Sequence, residues 1–194
     1  MKLQGLTLKE FLEKTASNEA IPGGGCSAAL LAAISTALTE MVANLTIGRK
    51  KYADVEDRMK SIAKIMSENR THFMNDIDRD AVAYRLVMDS YRMPNTSEEE
   101  ILIRKKKIQS ATKIASIIPL QLAQRAYNLI AIMDEAVQMG NVNAASDGMV
   151  GVLTCRAAIK AALLNVRVNL VNINDNDFVN YMIEKCNEIE KNSI

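Results

Sequence analysis

Two segments, 26–47 and 144–170, are apolar nearly all the way round and crowded with small side chains, and nothing else restricts the fold of this sequence so severely. The first carries Ala28, Ala29, Ala32, Ala33, Ala37 and Ala43; the second carries Gly148, Gly151, Ala157, Ala158, Ala161 and Ala162. A helix without a polar face has to be covered by other helices, and small residues let their backbones come close. Both segments are therefore expected at the centre of a helical bundle, packed against each other. Only 8 Gly, 3 Pro and 4% aromatic residues accompany them, which leaves few turns and argues against a sandwich or barrel.

The remaining pattern supplies the other helices. Thr7-Leu8-Lys9-Glu10 is a capping box that starts a helix over 7–17, with Leu8, Phe11 and Leu12 on one face. Ser17-Asn18-Glu19 and Ile21-Pro22-Gly23-Gly24-Gly25 end it in a loop before the first small-residue helix. Gly48 caps that helix, and Arg49, Lys50 and Lys51 place positive charge near its negative end. Apolar residues at three- and four-residue steps from Val55 to Met88 predict a long helix. Pro94-Asn95-Thr96 breaks it, and Ser97 with Glu98, Glu99 and Glu100 starts another over 101–139 that Pro119 should kink or interrupt. A turn at 140–143, the second small-residue helix and an amphipathic helix from about Asp175 complete the chain. No repeat or linker divides it, so the expectation is all-α: one domain over 1–194, a bundle of long helices around two buried, small-residue-rich ones.

Composition narrows the function. Apolar residues at 48% and charged residues at 24% describe an ordinary globular protein, and 24 Lys+Arg against 23 Asp+Glu give no global field to attract nucleic acid or an anionic membrane. Cys26, Cys155 and Cys186 are odd in number and widely spaced, and His72 is the only histidine, so neither a disulfide framework nor a metal site is expected. The amino terminus lacks the apolar core of a signal peptide, and the most apolar stretch, Cys26 to Leu38, is about half a membrane span. A cytoplasmic protein without membrane contact is expected.

Four features bear on chemistry. Pro22-Gly23-Gly24-Gly25-Cys26-Ser27 sets three glycines before a helix N-terminus, a place for an anionic or carbonyl group or simply a tight turn. Asp76, Asp78 and Asp80 cluster on the second long helix, where a solvated acidic face is the ordinary explanation; Asp76 and Asp80 share one side. Asp147 follows Asn143 and Ser146, either of which can be an N-cap, and sits among Gly148, Val150, Gly151 and Val152, surroundings that favour a raised pKa and acid or base work. Asn165 and Asn169 lie one turn apart on an apolar helix, where they can satisfy buried backbone or hold a polar ring. His72 and the run Arg104 to Lys107 read as surface.

Pro22-Gly23-Gly24-Gly25 with Ser27-Ala28-Ala29, then Met41 to Gly48 with Lys50-Lys51-Tyr52, Asp80-Ala81 with Tyr84, Pro119-Leu120, Gly140-Asn141 with Ser146-Asp147, and Asn165-Val166 with Asn169-Leu170 occur in one order over about 5–175. Taken together they resemble the cyclodeaminase/cyclohydrolase family, that of the cyclodeaminase half of formiminotransferase-cyclodeaminase. Cys26 departs from it, standing where the glycine run is typically followed by Ser. The resemblance implies an all-α homodimer and a tetrahydrofolate substrate with a one-carbon group at N5, its tail polyglutamylated, with no cofactor beyond it. It implies cyclisation of 5-formiminotetrahydrofolate to 5,10-methenyltetrahydrofolate with release of ammonia; the alternatives are methenyltetrahydrofolate cyclohydrolase and a non-catalytic folate-binding or scaffold dimer. On this reading Asp80 and Asp147 are the acid/base candidates, and Asn165 and Asn169 orient the pterin or the leaving group. The Gly23, Gly24 and Gly25 amides contact the folate, Lys50 and Lys51 receive tail carboxylates, and Ser27, Tyr84 and Asn141 join the binding set.

Overall fold

The computed structural model describes residues 2–193, of which 86% are helical and none form a strand. Six α-helices follow in order: α1 (Leu8–Thr15), α2 (Gly24–Thr46), α3 (Glu56–Tyr91), α4 (Glu98–Met139), α5 (Ala145–Leu170) and α6 (Asn176–Ser193). The expected capping box at Thr7 forms and Ser97 makes a second: the Thr7 and Ser97 hydroxyls accept the Glu10 and Glu100 amides, and each glutamate accepts its cap's N–H. α2 begins at Gly24, two residues earlier than expected, so the glycine run is the first turn of the helix rather than the loop before it.

α2 to α5 form an up-and-down four-helix arrangement in which each neighbour runs antiparallel. On one side of α2, Gly25 meets Asp80 and Glu40 pairs with Arg70, both on α3. On its other side Gly24 meets Asn165, Gly151 meets Ser35, and Gly148 meets Val42, which aligns α2 with α5. Arg58 holds Glu135 at 2.7 Å and Arg79 holds Gln121 at 2.9 Å, tying α3 to α4. The two small-residue helices pack on each other as expected: a Cβ on Gly151 would lie 3.2 Å from the Ser35 carbonyl oxygen, so an alanine there would push α5 away. Large side chains from α3 and α4, among them Met59, Met66, Phe73 and Met133, fill the rest of the core with Ile159 and Leu163 of α5, all fully buried.

α2 is longer than its most apolar stretch. Its 23 residues, whose most apolar 18 have a mean hydropathy of 1.6, and the 29 residues 142–170 are long and apolar enough to cross a membrane by length and composition, yet 56% of that 18-residue stretch of α2 is buried inside the bundle. Ser35, Thr36, Thr39 and Thr46 are buried there too, each donating to a carbonyl of its own helix one turn back.

Pro119 does not interrupt α4, which is one helix from Glu98 to Met139. A helical proline lacks the N–H that would serve the carbonyl four residues back, here Ala115. Asn169 supplies it: its Nδ2 donates to the Ala115 oxygen at 2.9 Å across the α4–α5 seam. Asn169→Ala is expected to cost about 1–2 kcal/mol by orphaning that carbonyl. In a Pro119→Ala background, where the backbone can serve Ala115 itself, the same change should cost much less. Urea unfolding of the four proteins measures this, and equal costs in both backgrounds would contradict it.

Candidate active site

A cavity of about 270 Å³ opens where the first turn of α2 meets α3, α4 and the last turns of α5. Its polar wall is Gly23, Gly24 and Gly25 with Asp80, Asn165 and Asn169, and Tyr84 stands at its side. Seven residues singled out in the sequence therefore share one pocket, although three helices carry them. The apolar wall, Ala20, Ile21, Ala83, Val87, Ala115 and Val168, was not foreseen. Part of it was within reach, since Ala83 and Val87 follow Asp80 at helical spacing and Val168 lies between the two asparagines.

Gly25 has one requirement. A Cβ built on it would fall inside the Asp80 carboxylate, so only glycine lets this carboxylate sit against the start of α2. There the Cys26 thiol lies within donating distance of Asp80 Oδ2 at 3.3 Å and of the Ile77 carbonyl at 3.4 Å, and the Cys26 backbone amide faces the carboxylate. Burial nevertheless dominates and raises the Asp80 pKa above the ordinary aspartate value; the nearby charge of Asp76 adds to this, while both Cys26 hydrogen bonds oppose it. Cys26 fills the place of a hydroxyl but is no thiolate. Burial, and then the Asp80 charge, push its thiol up to about 12.

Asn165 leans on Gly24, where a Cβ would lie 3.3 Å from its Nδ2, and that Nδ2 donates to the Ala161 carbonyl at 2.8 Å. Asn169 divides its amide between the Ala115 and Asn165 carbonyls. Asn169 spends both N–H groups on backbone and Asn165 one of its two, and neither Oδ1 accepts a hydrogen bond from another described residue. What they leave unused is two acceptors and one donor. Ser27 stays behind the wall, donating to the Gly23 carbonyl at 2.9 Å.

The other candidates lie elsewhere in the chain. Asp147 is in the first turn of α5, 18 residues before Asn165, or about 27 Å along the helix. Its tight surroundings belong to Gly148 and Gly151, which face Val137, Val42, Ser35 and Leu38, while Asp147 itself is half-buried. Asn141 is buried in the turn before α5, its amide N–H on Thr46 Oγ1 at 2.8 Å and its Nδ2 on the Leu45 carbonyl at 3.0 Å, so it fastens that turn to the end of α2. Lys50 and Lys51 follow α2 and are exposed at the same end, a whole helix away from the glycines. The acidic cluster is not a solvated face either. Asp76 is buried and pairs with Arg79 at 2.6 Å, and Asp78 accepts the Leu3 amide at 2.6 Å, which leaves Asp80 alone of the three in the pocket. His72 is exposed, and Arg104 donates to the Tyr91 carbonyl at the end of α3.

Fold and cavity define an all-helical bundle with one half-buried carboxyl at a polar pocket, the class to which the motifs point. The sequence model described as formiminotransferase-cyclodeaminase matches residues 7–188. A methenyltetrahydrofolate cyclohydrolase of Methylorubrum extorquens is 36% identical over 95% of this chain and 87% of its own length. The formimidoyltransferase-cyclodeaminase of Rattus norvegicus is 28% identical over 89% of this chain, which spans about a third of that longer protein. The crystal structure of formiminotetrahydrofolate cyclodeaminase from Thermotoga maritima superposes with a TM-score of 0.87 at 32% identity, covering 99% of this chain and 92% of that one. The chain belongs to the formiminotransferase-cyclodeaminase family, whose members are named for one-carbon folate chemistry.

Proposed function

We propose that this chain acts on the one-carbon bridge between N5 and N10 of tetrahydrofolate, cyclising 5-formiminotetrahydrofolate to 5,10-methenyltetrahydrofolate, with Asp80 as the proton carrier. The observation that carries the reading is a carboxyl held against the first turn of α2, in a pocket whose other polar groups are the amides of that turn, Tyr84 and the two asparagines. N10 attacks the carbon of the formimino group, an amidine that enters protonated, and gives its proton to the Asp80 carboxylate. The carbon–nitrogen bond to the formimino nitrogen then breaks, and the protonated Asp80 delivers a proton so that ammonia leaves. A carboxyl whose pKa is raised by burial suits a group that must both take and return a proton. The Asn165 and Asn169 oxygens face the N–H groups of the pterin.

The second reading is methenyltetrahydrofolate cyclohydrolase, supported by the relative of that name at 36% identity. Water would attack the methenyl carbon, Asp80 would take its proton, and the ring would open toward 10-formyltetrahydrofolate. The test follows methenyl absorbance with each substrate in turn. We expect absorbance to rise on 5-formiminotetrahydrofolate with matching ammonia. Faster loss of the band from the methenyl form, without the first reaction, would select the hydrolase, and no change in either would overturn both.

The same reading includes a homodimer. Val150, Leu153, Leu164 and Val168 form a stripe along α5, each more than half exposed, with small Ala157 at its midpoint. A stripe of this kind is self-complementary about a two-fold axis. An axis crossing α5 near Ala157 would pair it antiparallel with its copy and bring the partner's Asp147 beside Asn165 and Asn169. This accounts for functional motifs at both ends of one helix.

A further inference from the structure

The pterin pocket has a neighbour. Ala20, Ile21 and Tyr84 also wall a second cleft of about 300 Å³ between the loop after α1 and the outer face of α3. Along α3 this cleft is lined by Tyr84, Arg85, Met88, Asp89 and Arg92, a ridge at helical spacing that leads away from Asp80 for about 18 Å. Its charges are unevenly used. Lys14 is paired with Glu19 at 2.5 Å, and Arg92 reaches Asp89 only at 3.5 Å with both side chains exposed. Arg85 makes no ion pair or hydrogen bond with any other described residue, so a guanidinium stands free over the cleft.

Resting on the function proposed above, we infer that this cleft takes the aminobenzoyl-glutamate part of the folate. A folate whose pterin lies against Asp80 has to leave the pocket past its rim, and Tyr84 and Met88 offer the rim an aromatic and a soft apolar surface for a benzoyl ring. Arg85, and Arg92 released from its long contact with Asp89, then receive tail carboxylates. A planar guanidinium fork matches a carboxylate better than an ammonium group does. Within one chain this assignment replaces Lys50 and Lys51, which lie at the opposite end of α2.

Titration calorimetry of the full chain with tetrahydropteroyltriglutamate and with tetrahydropteroate, which has no glutamate, tests it. We expect the triglutamate to bind more tightly, and the Arg85→Ala/Arg92→Ala protein to lose about fivefold for the triglutamate, the sum of two exposed ion pairs. Tetrahydropteroate affinity should stay as it was, and Arg85→Lys/Arg92→Lys should recover part of the loss. Equal losses for both compounds, or none for the triglutamate, would overturn the assignment. Tail-dependent binding in a protein that turns over neither one-carbon substrate would support the cleft and overturn the proposed reaction. Turnover with tail-independent binding would do the reverse.

Discussion

Asp80→Asn lowers turnover of 5-formiminotetrahydrofolate by about two to four orders of magnitude, the range that loss of a positioned acid/base produces. It does so without unfolding the protein, because asparagine keeps the shape and an oxygen for the Cys26 thiol and amide. Stability carries the second half of this expectation. The Asp80 pKa is raised in the folded chain, so its contribution to stability is fully present below the unfolded aspartate value and is lost as pH rises through the folded value. Above the folded value the native protein therefore holds a carboxylate at a cost, and there the Asn variant, which never ionises, should melt at an equal or higher temperature. The gap should close as the pH falls below the ordinary aspartate range. Melting curves over pH check this; a variant that is less stable at neutral pH than at acid pH, relative to wild type, would mean that Asp80 serves the fold.

Gly25→Ala is the second large effect. The added methyl would occupy the space of the Asp80 carboxyl group, the end of a side chain that borders the cavity. Overpacking of this kind costs about 1–3 kcal/mol, and here relief requires the carboxylate to swing off the start of α2. Turnover should fall nearly as far as in Asp80→Asn, and the double variant should be little worse than either single change, because both remove one arrangement. Multiplicative losses would show that Gly25 and Asp80 act separately. Gly5 is a control, since a Cβ there meets nothing within 4 Å and Gly5→Ala should leave turnover intact.

Much of the fold was legible because its signals are local. The capping box at Thr7, the acids after Ser97, the break at Pro94 and the period of the apolar residues are read within a few neighbours, and each corresponds to a helix end or face in the structure. The exceptions depended on residues distant in sequence. Pro119 passes through α4 because Asn169 serves the carbonyl it leaves bare, and no window around Pro119 contains Asn169. The glycine run left a tight turn and a binding site as equal readings until Asp80 was found in the space a Gly25 side chain would fill. Asp76 and Asp78 looked equivalent to Asp80 by composition, and only their partners, Arg79 and the Leu3 amide, separate them from it. Within the chain, Asp147 and Asp80 are kept at opposite ends of the bundle by the antiparallel course of α2 and α5, a relation that residue spacing does not contain.

The central claim is that the one-carbon group reacts at Asp80. The structure of this protein bound to 5-formyltetrahydrofolate, a stable mimic of the N5-substituted substrate, tests it most directly. The account predicts the formyl carbon and N10 beside Asp80, with a carboxylate oxygen within about 3.2 Å of a reacting nitrogen or the formyl oxygen, the pterin against Asn165 and Asn169, and the partner's Asp147 across the cavity. A formyl group bound beyond reach of Asp80, with the glycine pocket empty, would contradict it.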